Sequence, residues 1–204
     1  MRRYWLKELG LLTRVDLLLD TKPVPVMGYK RSKRSSDFAG SADCGVCASR
    51  NLKYYGYKLV SLCTFDGIPV VYELVPANTD ERLMAESVLY ALRGCHIYAD
   101  KGFIREDWQK RIFRHTRNRV YTSKRANQME QNPASFDRWL HSVRERIEGV
   151  FNEVQNTGRN IERLLAKSVV GLATRVISKM TSHLLKIILR RSYAIDVQTF
   201  TQSV

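Results

Sequence analysis

The chain is short of acidic residues, of cysteines and of unbroken apolar runs, and each shortage excludes a class of protein. Its 204 residues include 20 Asp and Glu against 34 Lys and Arg, giving a formal net charge of +14 and a pI near 9.9. That deficit of negative charge points to a polyanionic partner, nucleic acid or an anionic membrane surface, with a merely basic enzyme as the plainer alternative. Four cysteines in a chain of this length do not make a disulfide framework. Cys44 and Cys47 form a lone C-x-x-C, with no second pair and no histidine at zinc-ligand spacing. They read as loop thiols, with adventitious metal or redox pairing as the alternative. Cys63 and Cys95 fall inside apolar runs and read as core thiols, so a cytosolic, reduced chain is expected. The basic start, MRRYWLKELGLLTRV, lacks the sustained apolar stretch and small-residue cleavage site of a signal peptide. What the chain does have is 44% hydrophobic residues, enough to bury a core and to exclude intrinsic disorder.

The longest apolar-rich stretch, residues 161–191, is interrupted by Arg163, Lys167, Arg175, Lys179, Lys186 and Arg190. Cations at the centre of a spanning helix cost several kcal/mol each, so no membrane span is expected. Leu165, Val169, Leu172, Val176, Met180 and Leu184 share one side of a helix at this spacing, and the cations line another. The spacing predicts amphipathic helices in two pieces around Gly171.

Upstream, residues 15–19 read as a buried strand ending in Asp20, followed by the proline-interrupted KPVPV. Residues 28–50 turn to Ser, Gly, Lys and Arg, a basic loop or insertion. The β-rich runs 57–65 and 68–74 are separated by Asp66-Gly67, which predicts a hairpin with a type I′ turn. Asn78 and Glu81 have capping-box spacing. The helix they open should bury Met84, Val88 and Ala91 and stop at Gly94. Residues 95–99 form a second short strand ending in a carboxylate, Asp100. A helix over 104–113, a strand around Val120 and a helix opened by Asn132-Pro133 complete the order. In the last of these, Trp139, Leu140, Val143, Ile147, Val150, Phe151 and Val154 keep helical spacing as far as Gln155. Such an order is that of a mixed α/β domain. The expected organisation is a main domain over 1–160, helices over 161–191 packed on it, and a tail over 192–204.

Two acids follow buried strands and a third lies in a long helix. Sites in open α/β sheets form at the carboxyl ends of strands, so Asp20 and Asp100 can face one another if their strands are neighbours. Glu148, beside Ile147 and Phe151, sits at the boundary of its helix's apolar stripe. Three converging carboxylates repel one another, and Mg²⁺ or Mn²⁺ is the usual compensation. Two such ions stabilise the attacking and leaving oxygens of an in-line phosphoryl displacement. Each acid also has a plain reading. Asp20 and Asp100 can be turn or cap residues, and Glu148 can belong with His141, Arg144 and Gln155 to a solvated helix face. The residues alone leave both open.

LLDTKPVPV around Asp20, YYGYKLVSLCTFDGIPVVYELVPANTDE, IYADKGFI around Asp100 and RERIEGVFNEVQ around Glu148 together resemble the catalytic domain of bacterial insertion-sequence DDE transposases. The likeness covers about residues 12–190. It implies a ribonuclease-H-like mixed sheet flanked by helices, the fold also used by retroviral integrases, with a C-terminal helical extension. By position it implies Asp20, Asp100 and Glu148 as the catalytic, metal-binding triad, with two Mg²⁺ or Mn²⁺ ions. The family's tyrosine, arginine, glutamate and lysine signature is matched at Arg144 and Glu148 but is His141 and Gln155 at its ends. Relatives carry a longer helical segment before the first Asp than the score of residues here, which reads as an N-terminal truncation or another reading start.

The activity implied is metal-dependent cleavage at insertion-sequence ends, followed by transfer of the 3′-hydroxyl into target DNA. Arg144 would steady a phosphate or orient Glu148, and His141 would donate to a phosphate. Lys30, Arg31, Lys33 and Arg34, with Lys101, Arg114, Arg117 and Arg119, are candidates for the DNA backbone. The partners implied are transposon-end and target DNA and further copies of the chain, homodimer or higher, in a bacterial, nucleoid-associated setting. A catalytically inactive DNA-binding remnant and a nuclease that cuts without strand transfer are the alternatives.

Overall fold

An apolar alternation that outlasts its two prolines builds the longest strands of the sheet. The computed structural model describes residues 15–32, 37–47, 51–124, 126–156 and 166–195, together with residues 7, 10, 161 and 197. Strand β1 spans Asp16–Gly28, a four-residue helix α1 Tyr29–Ser32, and strand β2 Asp43–Cys47. Strands β3 (Leu52–Thr64) and β4 (Pro69–Pro76), helix α2 (Glu81–Leu89) and strand β5 (His96–Ala99) follow. A 3₁₀ turn (Lys101–Phe103), helix α3 (Glu106–Thr116) and strand β6 (Arg119–Thr122) lead to two long helices, α4 (Ala134–Asn156) and α5 (Val169–Tyr193).

The sheet runs β2-β3-β1-β5-β6, with β4 pairing β3 beside β2. β3 is antiparallel to β1, β2 and β4, while β1, β5 and β6 are mutually parallel. This is the mixed sheet expected of a ribonuclease-H-like fold. Side chains alternate across β1. Leu18 and Val24 join Leu59, Cys63, Ile147, Val150 and Phe151 under α4 and α5. Leu17 and Leu19 pack with Met84, Val88, Ile97, Trp108 and Ile112 under α2 and α3. The result is a sheet buried on both faces, three layers in all.

Several local expectations are corrected. β1 does not stop at Leu19, because β3 pairs it as far as Gly28. β5 lies beside β1 only as far as Leu19, so Pro23 and Pro25 need no donor towards that side. The 28–50 stretch is not loop throughout: it contains α1 and the edge strand β2, which carries Cys44 and Cys47. The hairpin turn is not type I′. Only Gly67 has positive φ, at 80°, and its N–H donates to Thr64 O at 2.9 Å. That is a type I turn closed by a glycine bulge.

Asp80, not Asn78, caps α2, accepting from the Arg82 N–H at 2.9 Å. Asn78 instead donates to Asp43 across the loop at 2.7 Å. α2 ends at Leu89, leaving Ala91 exposed. α3 begins at Glu106 after the 3₁₀ turn, two residues later than expected. The C-terminal helix is one piece. Gly171 lies in its first turn, where its N–H donates to the Ser168 cap at 3.2 Å. Leu172, Val176, Met180 and Leu184 are buried as expected and Val169 is exposed, while Arg163 and Leu165 lie outside the described residues. Among the described residues no helix is long and apolar enough to cross a membrane.

Candidate active site

The β1–β5 register decides where the first two acids go. The parallel pairing ends at Leu19↔Ala99, so Asp20 and Asp100 are the next residue on each of two adjacent strands. Each accepts the following backbone N–H, Thr21 at 2.8 Å and Lys101 at 2.7 Å. Asp20 is thus not a strand-end residue: it sits inside β1, opposite Ser61 of β3, at the point where β5 stops. The neighbouring strand's termination opens the crevice there.

α4 supplies the third acid. Its Trp139 is seated on an aromatic cluster, 4.9 Å from the Tyr98 ring and 5.9 Å from that of Phe65. Leu140, Ile147, Val150 and Phe151 are buried against the sheet. That stripe brings Arg144 and Glu148, one turn apart on its shoulder, over the ends of β1 and β5. Arg144 Nη1 lies 3.3 Å from Asp100 Oδ1, the arginine side chain 16% exposed and the aspartate 44%. Among the described residues, the buried Arg144 Nε has no hydrogen-bond partner. Asp20, Asp100, Arg144 and Glu148 line one cleft of about 640 Å³.

The Asp20 carboxyl is pushed up to about 6. Burial is the main cause, and the charges of Asp100 and Glu148 push the same way, against the Thr21 N–H and Arg144. A carboxylate so placed binds a cation readily, because neutralisation relieves both desolvation and repulsion. The donor set, three carboxylates around one crevice, fits Mg²⁺ or Mn²⁺. Among the described residues no three or more His, Cys, Asp or Glu side chains are drawn together closely enough to hold a metal as they stand. The cation now offsetting the acids is Arg144, which pairs with Asp100 rather than orienting Glu148.

The other sequence candidates are scattered. His141 is 79% exposed and faces Glu145 at 3.7 Å, outside the cleft. Lys101 is exposed beside Asp100, and Lys30 is exposed on α1. Arg31 belongs to α1 by its backbone, and Lys33 and Arg34 lie outside the described residues. Arg114 is on α3 and lines a separate groove with Arg105, Lys110 and Arg111. Arg117 and Arg119 flank the Phe113 ring at 5.7 and 5.3 Å. Arg119 pairs with His96 at the start of β5, so both arginines stand at the opposite end of the parallel strands from Asp100. Cys44 and Cys47, three residues apart on β2, point to opposite faces of that strand.

The cleft also contains side chains not expected there: Lys22, Lys58 and Glu81. Glu81 packs its carboxylate against Gly102, where any Cβ would collide with it. The signal for Lys22 was a lysine at a core position of an alternating strand. Glu81 was hidden by its capping-box spacing.

Compared with protein families, residues 10–169 match the transposase DDE domain. The chain belongs to that family. The match takes in every element from β1 to α4, and with them Asp20, Asp100 and Glu148. Comparison with curated proteins and with solved structures gives no match. The transposase DDE domain accounts for the ribonuclease-H-like sheet, and membership makes this a transposase of the polynucleotidyl-transferring kind, acting on DNA. The family generally uses divalent metal ions.

Proposed function

We propose that this transposase cuts DNA at the ends of an insertion sequence and joins the freed 3′-hydroxyl to target DNA, using Asp20, Asp100 and Glu148 as its catalytic acids. The observation that carries the reading is the register that ends β5 beside Asp20, with Glu148 brought over the same crevice by α4. The three carboxylates would hold Mg²⁺ or Mn²⁺, two ions for preference. When bound, such ions stabilise the attacking and leaving oxygens of an in-line phosphoryl displacement.

The chain's own part is placement. The Thr21 and Lys101 N–H groups fix the carboxylate planes of Asp20 and Asp100. Arg144 holds Asp100 from the helix side, and its unpartnered Nε gives it a donor for a phosphate oxygen. Phe151 lines the same cleft as Asp20 and gives it an apolar wall. The two successive transfers, to water and then to the 3′-hydroxyl, need no covalent protein nucleophile. The setting proposed is the bacterial cytoplasm, with two or more copies on paired DNA ends.

The test uses the full chain and a plasmid carrying both ends of its insertion sequence. With Mg²⁺, the expected products are nicks at the element ends with free 3′-hydroxyls, followed by joined molecules. Nicks without joining would reduce the activity to a nuclease. Salt-sensitive binding with no metal-dependent nicking, in both the natural chain and Asp100→Ala, would leave a DNA-binding remnant.

A further inference from the structure

The cleft contains a lysine that the carboxylate chemistry does not use. Lys22 lies on the α4 face of β1, in a row with Leu18, Asp20 and Val24, where Leu18 and Val24 are wholly buried core residues. Lys22 itself is 6% exposed, and its ammonium stands 6.0 Å from the centroid of the Phe151 ring. The Phe151 face supplies part of the compensation that a buried ammonium needs. The side chain lines the same cleft as Asp20, Asp100 and Glu148. A second lysine reaches the cleft from the other face of the β1–β3 ribbon. Lys58 stands opposite Pro23 and donates to Thr79 O at 3.3 Å.

Two residues along a strand span about 7 Å, close to the separation of neighbouring phosphates along one nucleic-acid strand. A phosphate placed at the acids therefore has its neighbour within reach of Lys22. We propose that Lys22 contacts the DNA backbone inside the cleft, holding the phosphate next to the one being cut. The inference rests on the proposed function and deepens it, because it fixes the direction in which the strand lies: along β1, from Asp20 towards Lys22 and Phe151. Lys22 is then a substrate-contacting residue, and the Phe151 ring keeps its ammonium directed when no DNA is present.

The experiment measures binding of a fluorescein-labelled 20-base-pair duplex of mixed sequence with one central nick, by anisotropy, without divalent metal and across 50–200 mM KCl. Lys22→Met should bind about tenfold more weakly at the lowest salt. Its slope of log affinity against log salt should be shallower by about 0.9. Lys22→Arg should keep the natural slope, since the charge remains. Thermal melting of each variant checks folding, and Lys22→Gln supplies the comparison if the methionine variant does not fold. A folded neutral variant with natural affinity and slope overturns the inference and leaves the proposed function standing. A natural chain that does not bind the duplex at all overturns both.

Discussion

At their amino ends the parallel strands β1, β5 and β6 close over a fully satisfied amide, whereas at their carboxyl ends they open on charges that the fold leaves in tension. Asn118, 0% exposed, accepts the Cys95 N–H at 2.9 Å and donates to Leu89 O at 2.9 Å and Leu92 O at 3.2 Å. It thereby ties the end of α2 to the starts of β5 and β6. At the other end Asp20 is held well above the ordinary carboxylate range and, among the described residues, Arg144 Nε has no hydrogen-bond partner. The same three strands thus carry a structural end and the end proposed to be reactive. Where polar groups are completed by the fold they specify it, and where they are left incomplete they await a ligand.

The sharpest way to break this contrast is to substitute at both ends. Asp100→Ala should lower metal-dependent nicking by at least about 10³-fold, about 4 kcal/mol of transition-state stabilisation, while the protein melts near its natural temperature. Asn118→Ala should do the reverse. It strands the Cys95 N–H and Leu92 O, while Leu89 O keeps the Leu92 N–H at 3.3 Å; the cost is about 2 kcal/mol in total, which lowers the melting temperature by about 4–8 °C. The fraction still folded should nick at the natural rate. An Asn118→Ala protein that melts normally, or an Asp100→Ala protein that still nicks, would erase the distinction.

The contrast also explains what could be seen in the sequence. The order of elements, both buried strands leading to Asp20 and Asp100, and the apolar stripe of α4 were legible because each rests on local periodicity. The length of β1 was not. Pro23 and Pro25 argue locally against a strand, and only β5 ending at Ala99 makes room for them. The cap at Asp80 was missed because Asn78 offered an equally good local pattern, which the Asp43 carboxylate claims instead. The convergence of Asp20, Asp100 and Glu148 could be inferred from resemblance but not from spacing. The contact of Arg144 with Asp100 was not foreseen, because it is set by the crossing of α4 over β5. Lys22 was hidden by the same prolines, because only the continuation of β1 past Leu19 places it in an apolar row with Phe151 above it.

A carboxyl raised by burial costs stability wherever it is ionised, and Asp20 is such a group. Its carboxyl rises from 3.8 in the unfolded chain to about 6 in the folded one, so between those values the folded state binds more protons. Stability is therefore lost as pH rises from about 4 through 6, and above 6 the protein carries a penalty of up to about 3 kcal/mol. Asp20→Asn removes the charge. It should raise the melting temperature at pH 7.5 by several degrees, with the gain vanishing near pH 4, while nicking is lost. In the natural chain, nicking at low pH should need more Mg²⁺, because protons compete with the ion for the Asp20 carboxylate. An Asp20→Asn protein no more stable than the natural one at pH 7.5 would show that the reactive end is not in tension.

The smallest effect is expected at the amino ends of the strands. Arg119 is exposed, lies against the Phe113 ring and stands a full strand length from Asp100. Any phosphate it meets belongs to DNA passing outside the cleft, in high dielectric, where a single exposed charge contributes about 0.2–1 kcal/mol. Arg119→Gln should therefore weaken binding of the nicked duplex by no more than about fivefold at 50 mM KCl, less than the tenfold expected for Lys22→Met. The nicking rate at saturating DNA should not change. If Arg119→Gln instead lowers that rate, or weakens binding more than Lys22→Met does, the DNA runs across the amino ends of the strands. The basic surface of α3 and β6 would then have to be counted as part of the site.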